Sequence, residues 1–202
     1  MAHVLQLKPA LADAASQAPA YRRIRWASRA LSILFMVILA GYAAFAWMLG
    51  LGFFIPGLGR HIGIGPEGML VAFGPPLPHP YVAVDSLPLV QRLAHMAAGV
   101  LVFGPKLAIF WSLGRLFGLY GQGVVFARAN AHHIKWIGVW LAADAAAPFA
   151  VHLILNALHL AIDQRWAHLA SLQELVLGGV VWVIAQVMEV GREIEEDRGQ
   201  FV

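Results

Sequence analysis

The segment 27–49 carries one charged residue, Arg29, in its first turn and none after it. A helix so apolar has no polar face to offer water, and crossing a bilayer's hydrocarbon takes roughly 20 such residues. Segments 92–113, 134–160 and 172–190 have the same character. Together they predict an all-α, four-span transmembrane helical bundle. Composition points the same way, with 60% hydrophobic and only 12% charged residues, where soluble domains carry about a quarter charged. The absence of cysteine excludes disulfides, thiolate metal sites, iron–sulfur clusters and c-type haem attachment.

Lysine and arginine set the expected orientation. Lys8, Arg22, Arg23 and Arg25 precede the first span, and Arg115, Arg128 and Lys135 lie between the second and third. The opposite side holds Arg60, Arg165 and the boundary residue Arg92. Both termini are therefore expected in the cytoplasm. The net charge of +3 is read as a topology signal, with no direct binding of nucleic acid. The Ala-x-Ala pattern within 42–46 follows a run too long and too late for a signal peptide, so the first span is expected to stay as an anchor. Residues 1–26 are expected to be flexible or interfacial, 27–190 to form the membrane domain, and 191–202 an acidic cytoplasmic tail.

Residues 50–91 form an outer loop crowded with Gly and Pro. Its β-prone runs at 69–73 and 81–85 are expected to pair as a small β-hairpin. The sequence Gly63-Ile-Gly65-Pro-Glu-Gly68 has the spacing of a dinucleotide fingerprint. That fingerprint needs a βαβ unit around it, and none is present, so the match is taken as chance.

Charges within spans call for a functional hypothesis. Lys106 and Asp144 each lie about 10 residues, or roughly 15 Å, from one end of antiparallel spans and so reach similar depth. At about 100° per residue, His95 shares a face with Lys106, and His152 with His159. Antiparallel pairing then brings His95 level with the stretch between His152 and His159. Three readings follow: an ion pair holding two helices together, a haem b or divalent-metal site on His95, His152 and His159, or a proton or substrate path. His168, Asp163 and Glu174 cluster at the turn after the third span and need no special role. No arrangement for catalysis is present, and the chain is expected not to be an enzyme and to need no cofactor.

The segment 115–138 is basic and glycine-spaced. Its first part is expected to lie along the interface, with Gly114 and Gly118 as a small-residue pair, and Asn130 to cap the third span. His132 and His133 are expected to meet water. The order Leu116-Phe117, Tyr120, Gly123, Phe126, Asn130, Ile137-Gly138, with the closing pattern Gly191, Glu193, Glu196 and a terminal Val202, resembles the bacterial integral-membrane family catalogued as domain of unknown function 2975. Family members carry Thr or Ser where this chain has Ala127, so capping here passes to Asn130 or is lost.

The resemblance implies a four-span protein of the bacterial inner membrane with no established enzymatic activity, often encoded beside a small helix-turn-helix regulator. It implies a partner-binding cytoplasmic surface made of Tyr120, Gly123, Phe126 and Asn130 with Gly191, Glu193 and Glu196. Arg115, Arg128 or Lys135 could latch to Glu193, Glu195 or Glu196 across that face, each exposed pair contributing about 0–1 kcal/mol. The leading expectation is a multi-pass protein acting through protein partners, as a regulator's anchor or an accessory subunit. A haem- or metal-binding redox component, and a small carrier using Lys106 and Asp144, are the alternatives.

Overall fold

The computed structural model describes residues 19–55, 57–66, 68–72, 77–124, 127–160 and 169–200. Its four long helices are α1 (Pro19–Gly52), α2 (Leu89–Gly121), α3 (Arg128–Ala157) and α4 (Leu169–Gln200). Each is long and apolar enough to cross a membrane, with mean hydropathies from 1.6 to 2.1. All four outrun the apolar segments that announced them, because a fall in hydropathy does not itself break a helix. Residues 115–121, expected to lie flat along the interface, are instead the last turns of α2. In the other direction, α3 stops at Ala157, short of the predicted 160.

Consecutive helices pack on each other in chain order, α1 on α2, α2 on α3 and α3 on α4. Small residues set two of these contacts. On α2, a Cβ added at Gly114 would sit 2.7 Å from Met36 Sδ, and one at Gly121 would sit 2.8 Å from Arg29 Cγ. The close approach lets Ser32 Oγ donate to the Gly114 carbonyl at 2.8 Å and Arg29 Nε to that of Gly121 at 3.2 Å. Aromatic side chains fill the same seam, with Phe35 against Phe117 at 5.6 Å and Tyr42 against Phe110 at 5.3 Å between ring centroids. Between α3 and α4, Gly138 and Gly178 face each other, and a Cβ on either would lie within 2.8 Å of the other's carbonyl oxygen. The outer faces of the helices are apolar: Ile33, Val37, Val100, Leu153, Val176 and Val187 are all exposed. Apolar surface on this scale would be untenable in water and is the normal exterior of a chain dissolved in hydrocarbon.

The α1–α2 connection is a three-stranded antiparallel sheet of β1 (Ile62–Gly65), β2 (Gly68–Val71) and β3 (Val82–Ala83), in the order β2–β1–β3. The hairpin expected between 69–73 and 81–85 is not what forms: both runs contribute strands, and each pairs with β1 instead. The central strand comes from the false fingerprint. Its glycines admit neighbours, since a Cβ at Gly65 would lie 2.7 Å from the Tyr81 ring and one at Gly63 3.0 Å from Leu77. Leu49, Phe53, Ile62, Ile64 and Val84 form a core that seats the sheet on the end of α1. Arg92 ties it to the start of α2, its Nε donating to the Leu87 carbonyl at 2.7 Å and its Nη2 to that of Asp85.

Candidate functional site

Polar groups lie between α2 and α3 at two separate levels. At the deeper one, Lys106 Nζ donates to Asp144 Oδ1 as an ion pair, so the two spans do bring these residues together. Asp144 is buried, while the Lys106 side chain keeps 34% of its surface exposed. A lone charge of either sign would be costly at this depth, and pairing neutralises both. Each partner lies close to a helix proline, Lys106 next to Pro105 and Asp144 one turn before Pro148. Proline supplies no backbone N–H to the carbonyl four residues back, and for Pro148 that residue is Asp144.

The second level lies nearer the sheet. His95 from α2 and His152 from α3 line one cavity of about 360 Å³, closed on the sheet side by Ile64, Gly65, Gly68 and Met69. His95 is 6% exposed. Its Nδ1 is 2.8 Å from the carbonyl oxygen of Gln91, one turn earlier on the same helix. A carbonyl can only accept, so Nδ1 carries the proton, and in the neutral ring Nε2 is left with a lone pair. No described group hydrogen-bonds to that buried Nε2. Leaving such an atom unpaired costs about 1–3 kcal/mol.

His159, the third residue of the predicted histidine set, is not part of this cavity. It occupies the left-handed position after α3, with φ 51°. There its N–H donates to the Asn156 carbonyl and that of Leu160 to Leu155, both at 3.0 Å, which is a Schellman cap. The α3 helix ends before its periodicity can carry His159 round to the face of His152. Among the described residues, no three His, Asp or Glu side chains group closely enough to hold a metal ion. No described arginine or lysine lines the cavity to meet haem propionates either. Asp163 and His168 lie outside the described residues.

At the other end of α2 and α3, the residues carried over by family resemblance build a turn. Gly123 has φ 85°, its N–H donates to Tyr120 O, and the Val124 N–H donates to Leu119 O, each at 3.0 Å. This is again a Schellman cap, and it explains the glycine. Tyr120 packs edge-on against Phe117, with centroids 5.9 Å apart. Asn130 is fully buried, and its Nδ2 donates to the Val124 carbonyl at 2.7 Å. The expectation that Asn130 caps α3 is therefore corrected: the N-cap is Ala127, which has no side-chain cap, and Asn130 clasps the turn from the third helical position. A methyl group cannot accept from the N–H groups of the first helical turn, so Ala127→Ser is expected to raise stability by about 1 kcal/mol. Reversible unfolding of the two proteins in the same detergent would measure it. Phe126 lies outside the described residues, and Gly191 is exposed. The side chains of Glu193, Glu195 and Glu196, and so the proposed latch, lie outside them too. Arg115 sits over the Trp111 ring at 5.7 Å, and His132 packs against Trp136 at 6.1 Å.

No family model matches this chain, and no curated protein or solved structure is similar to it. The Gly138–Gly178 contact and the sheet wall of the histidine cavity were missed from sequence. The one available signal was the Gly178-Gly179 pair within α4; nothing local marks β1 as the strand beneath the cavity.

Proposed function

We propose that this is a non-enzymatic, multi-pass protein of a bacterial inner membrane, with both termini in the cytoplasm, acting through a protein docked on the end of α4. The observation that carries this reading is the length of that helix. Its described apolar stretch runs from Ala170 to Gly191 and the sequence from Arg192 onward is rich in charge, yet the helix continues to Gln200. Nine further residues at 1.5 Å each extend it by roughly 14 Å past Gly191. This stretch contains Arg192, Glu193, Glu195, Glu196, Asp197 and Arg198, an acidic excess. A helix that short would not hold in water alone, and its continuity with α4 supplies the missing nucleation.

An acidic helical post fits a partner with a basic face. A DNA-binding regulator, which the family resemblance implies, has such a face. The arginine and lysine excess around the start of α1 and the α2–α3 turn supports the cytoplasmic placement of this end. The turn supports docking in a second way, because the Gly123 cap and the Asn130–Val124 hydrogen bond tie its described residues to α2 and α3.

The test compares the full chain with one ending at Gly191, each extracted in mild detergent from its own host and examined by native mass spectrometry. A bound protein mass is expected on the full chain, with at least a tenfold lower occupancy on the shortened one at equal membrane insertion. Equal occupancy on both would overturn the docking role of α4. The carrier reading of Lys106 and Asp144 is set aside in favour of a structural pair, and the histidine level is taken up next.

A further inference from the structure

We propose that the cavity between α2, α3 and the sheet binds a lipid-soluble molecule bearing a hydroxyl group, which donates its proton to Nε2 of His95. This site lies at the opposite end of the helices from the α4 extension and stands or falls independently of it.

The polarity of the site selects the ligand's head. Nδ1 is committed as donor to Gln91, so Nε2 offers a lone pair and asks for a donor. A ketone, an ester or the carbonyl of an oxidised quinone brings a second acceptor and gains nothing there. A phenol, a quinol or an aliphatic alcohol brings the missing proton. The walls select the body. Phe45, Met69, Val102, Phe103, Val151 and Leu155 surround the space. The Phe45 and Phe103 rings stand edge to face at 6.0 Å. At about 360 Å³ the cavity falls within the range of small-molecule sites, which pair mostly apolar walls with one or two polar groups.

A metal ion suits the same lone pair less well. Zinc sites use at least three protein ligands, and no described third His, Asp or Glu accompanies His95 and His152. An ion would also keep its charge inside an apolar wall with no carboxylate to balance it.

Gly99 gives an independent handle on the space. It lines the cavity, and a Cβ built on it meets nothing within 4 Å. Gly99→Leu therefore adds bulk at the cavity wall without a clash, while His95→Phe removes the acceptor and keeps an aromatic ring.

The experiment is isothermal titration of the full chain in detergent with 1-naphthol, 1-methoxynaphthalene, 1-dodecanol and zinc chloride. Saturable 1-naphthol binding is expected, at least tenfold weaker for the methyl ether, which keeps the ring and loses the donor. His95→Phe and Gly99→Leu should each weaken 1-naphthol at least tenfold. Dodecanol binding with equal tightness and the same His95 dependence would uphold the site and assign it to an aliphatic alcohol. Equal affinity for the ether, or no saturable binding of either alcohol, overturns the proposal. Zinc binding lost in His95→Phe, without naphthol binding, overturns it in favour of a metal. If His95→Phe does not fold, the ether comparison and Gly99→Leu still decide.

Discussion

Asp144→Ala is expected to destabilise the protein by about 3 kcal/mol, since it leaves Lys106 without a partner between two spans. Breaking a buried pair typically costs about 3–5 kcal/mol, and the low end applies here because Lys106 is one-third exposed and its stem can swing. The companion variant decides what the pair is for. Replacing both partners, Lys106→Met with Asp144→Leu, removes the charges together and should return stability to within about 1 kcal/mol of the parent. Reversible unfolding in bicelles would measure all three proteins. A double variant as unstable as Asp144→Ala would mean that the pair's hydrogen bonds, and not mutual neutralisation, hold α2 to α3.

Gly178→Leu is expected to cost about 3 kcal/mol, at the upper end for overpacking, and to loosen α4 from α3. The added Cβ alone would lie 2.8 Å from the Gly138 carbonyl oxygen and 3.1 Å from Ala142 N. Both are backbone atoms and cannot turn aside. With no hydrophobic drive between helices inside lipid, close backbone packing is the main attraction, so separating them removes most of it. The neighbouring residue supplies the control. A Cβ at Gly179 meets nothing within 4 Å, so Gly179→Leu should be neutral or gain a few tenths of a kcal/mol from helix propensity. The same unfolding assay should thus separate two adjacent glycines. Equal losses at both positions would mean that α3 and α4 are held by something other than the Gly138–Gly178 approach.

Where the candidate site was legible in the sequence, helix geometry made it so. A fixed rise and turn per residue place any two side chains of one helix in relative depth and azimuth. That was enough to set Lys106 opposite Asp144 and to bring His95 level with the stretch between His152 and His159. The same arithmetic failed at His159, because it assumes the helix persists, and α3 stops at Ala157. It failed at Asn130 as well. The residue type suits a cap, but the chain turns at Gly123 and begins α3 at Arg128, so Asn130 falls three places inside. Family resemblance singled out Tyr120, Gly123 and Asn130, and their contacts show that they shape the turn.

By itself the sequence determined that the chain has four long apolar helices and that its charges and histidines sit at matched depths along two of them. Hydropathy and helical period belong to single segments, so each can be read without its neighbours. Tertiary structure alone decided that β1 takes the centre of the sheet, that Gly138 and Gly178 bring two helices into backbone contact, and that His95 lines a cavity while its buried Nε2 keeps no described partner. Those features depend on pairs of segments far apart in the chain. Which pair forms is set by competition among close contacts and hydrogen bonds that no local pattern records.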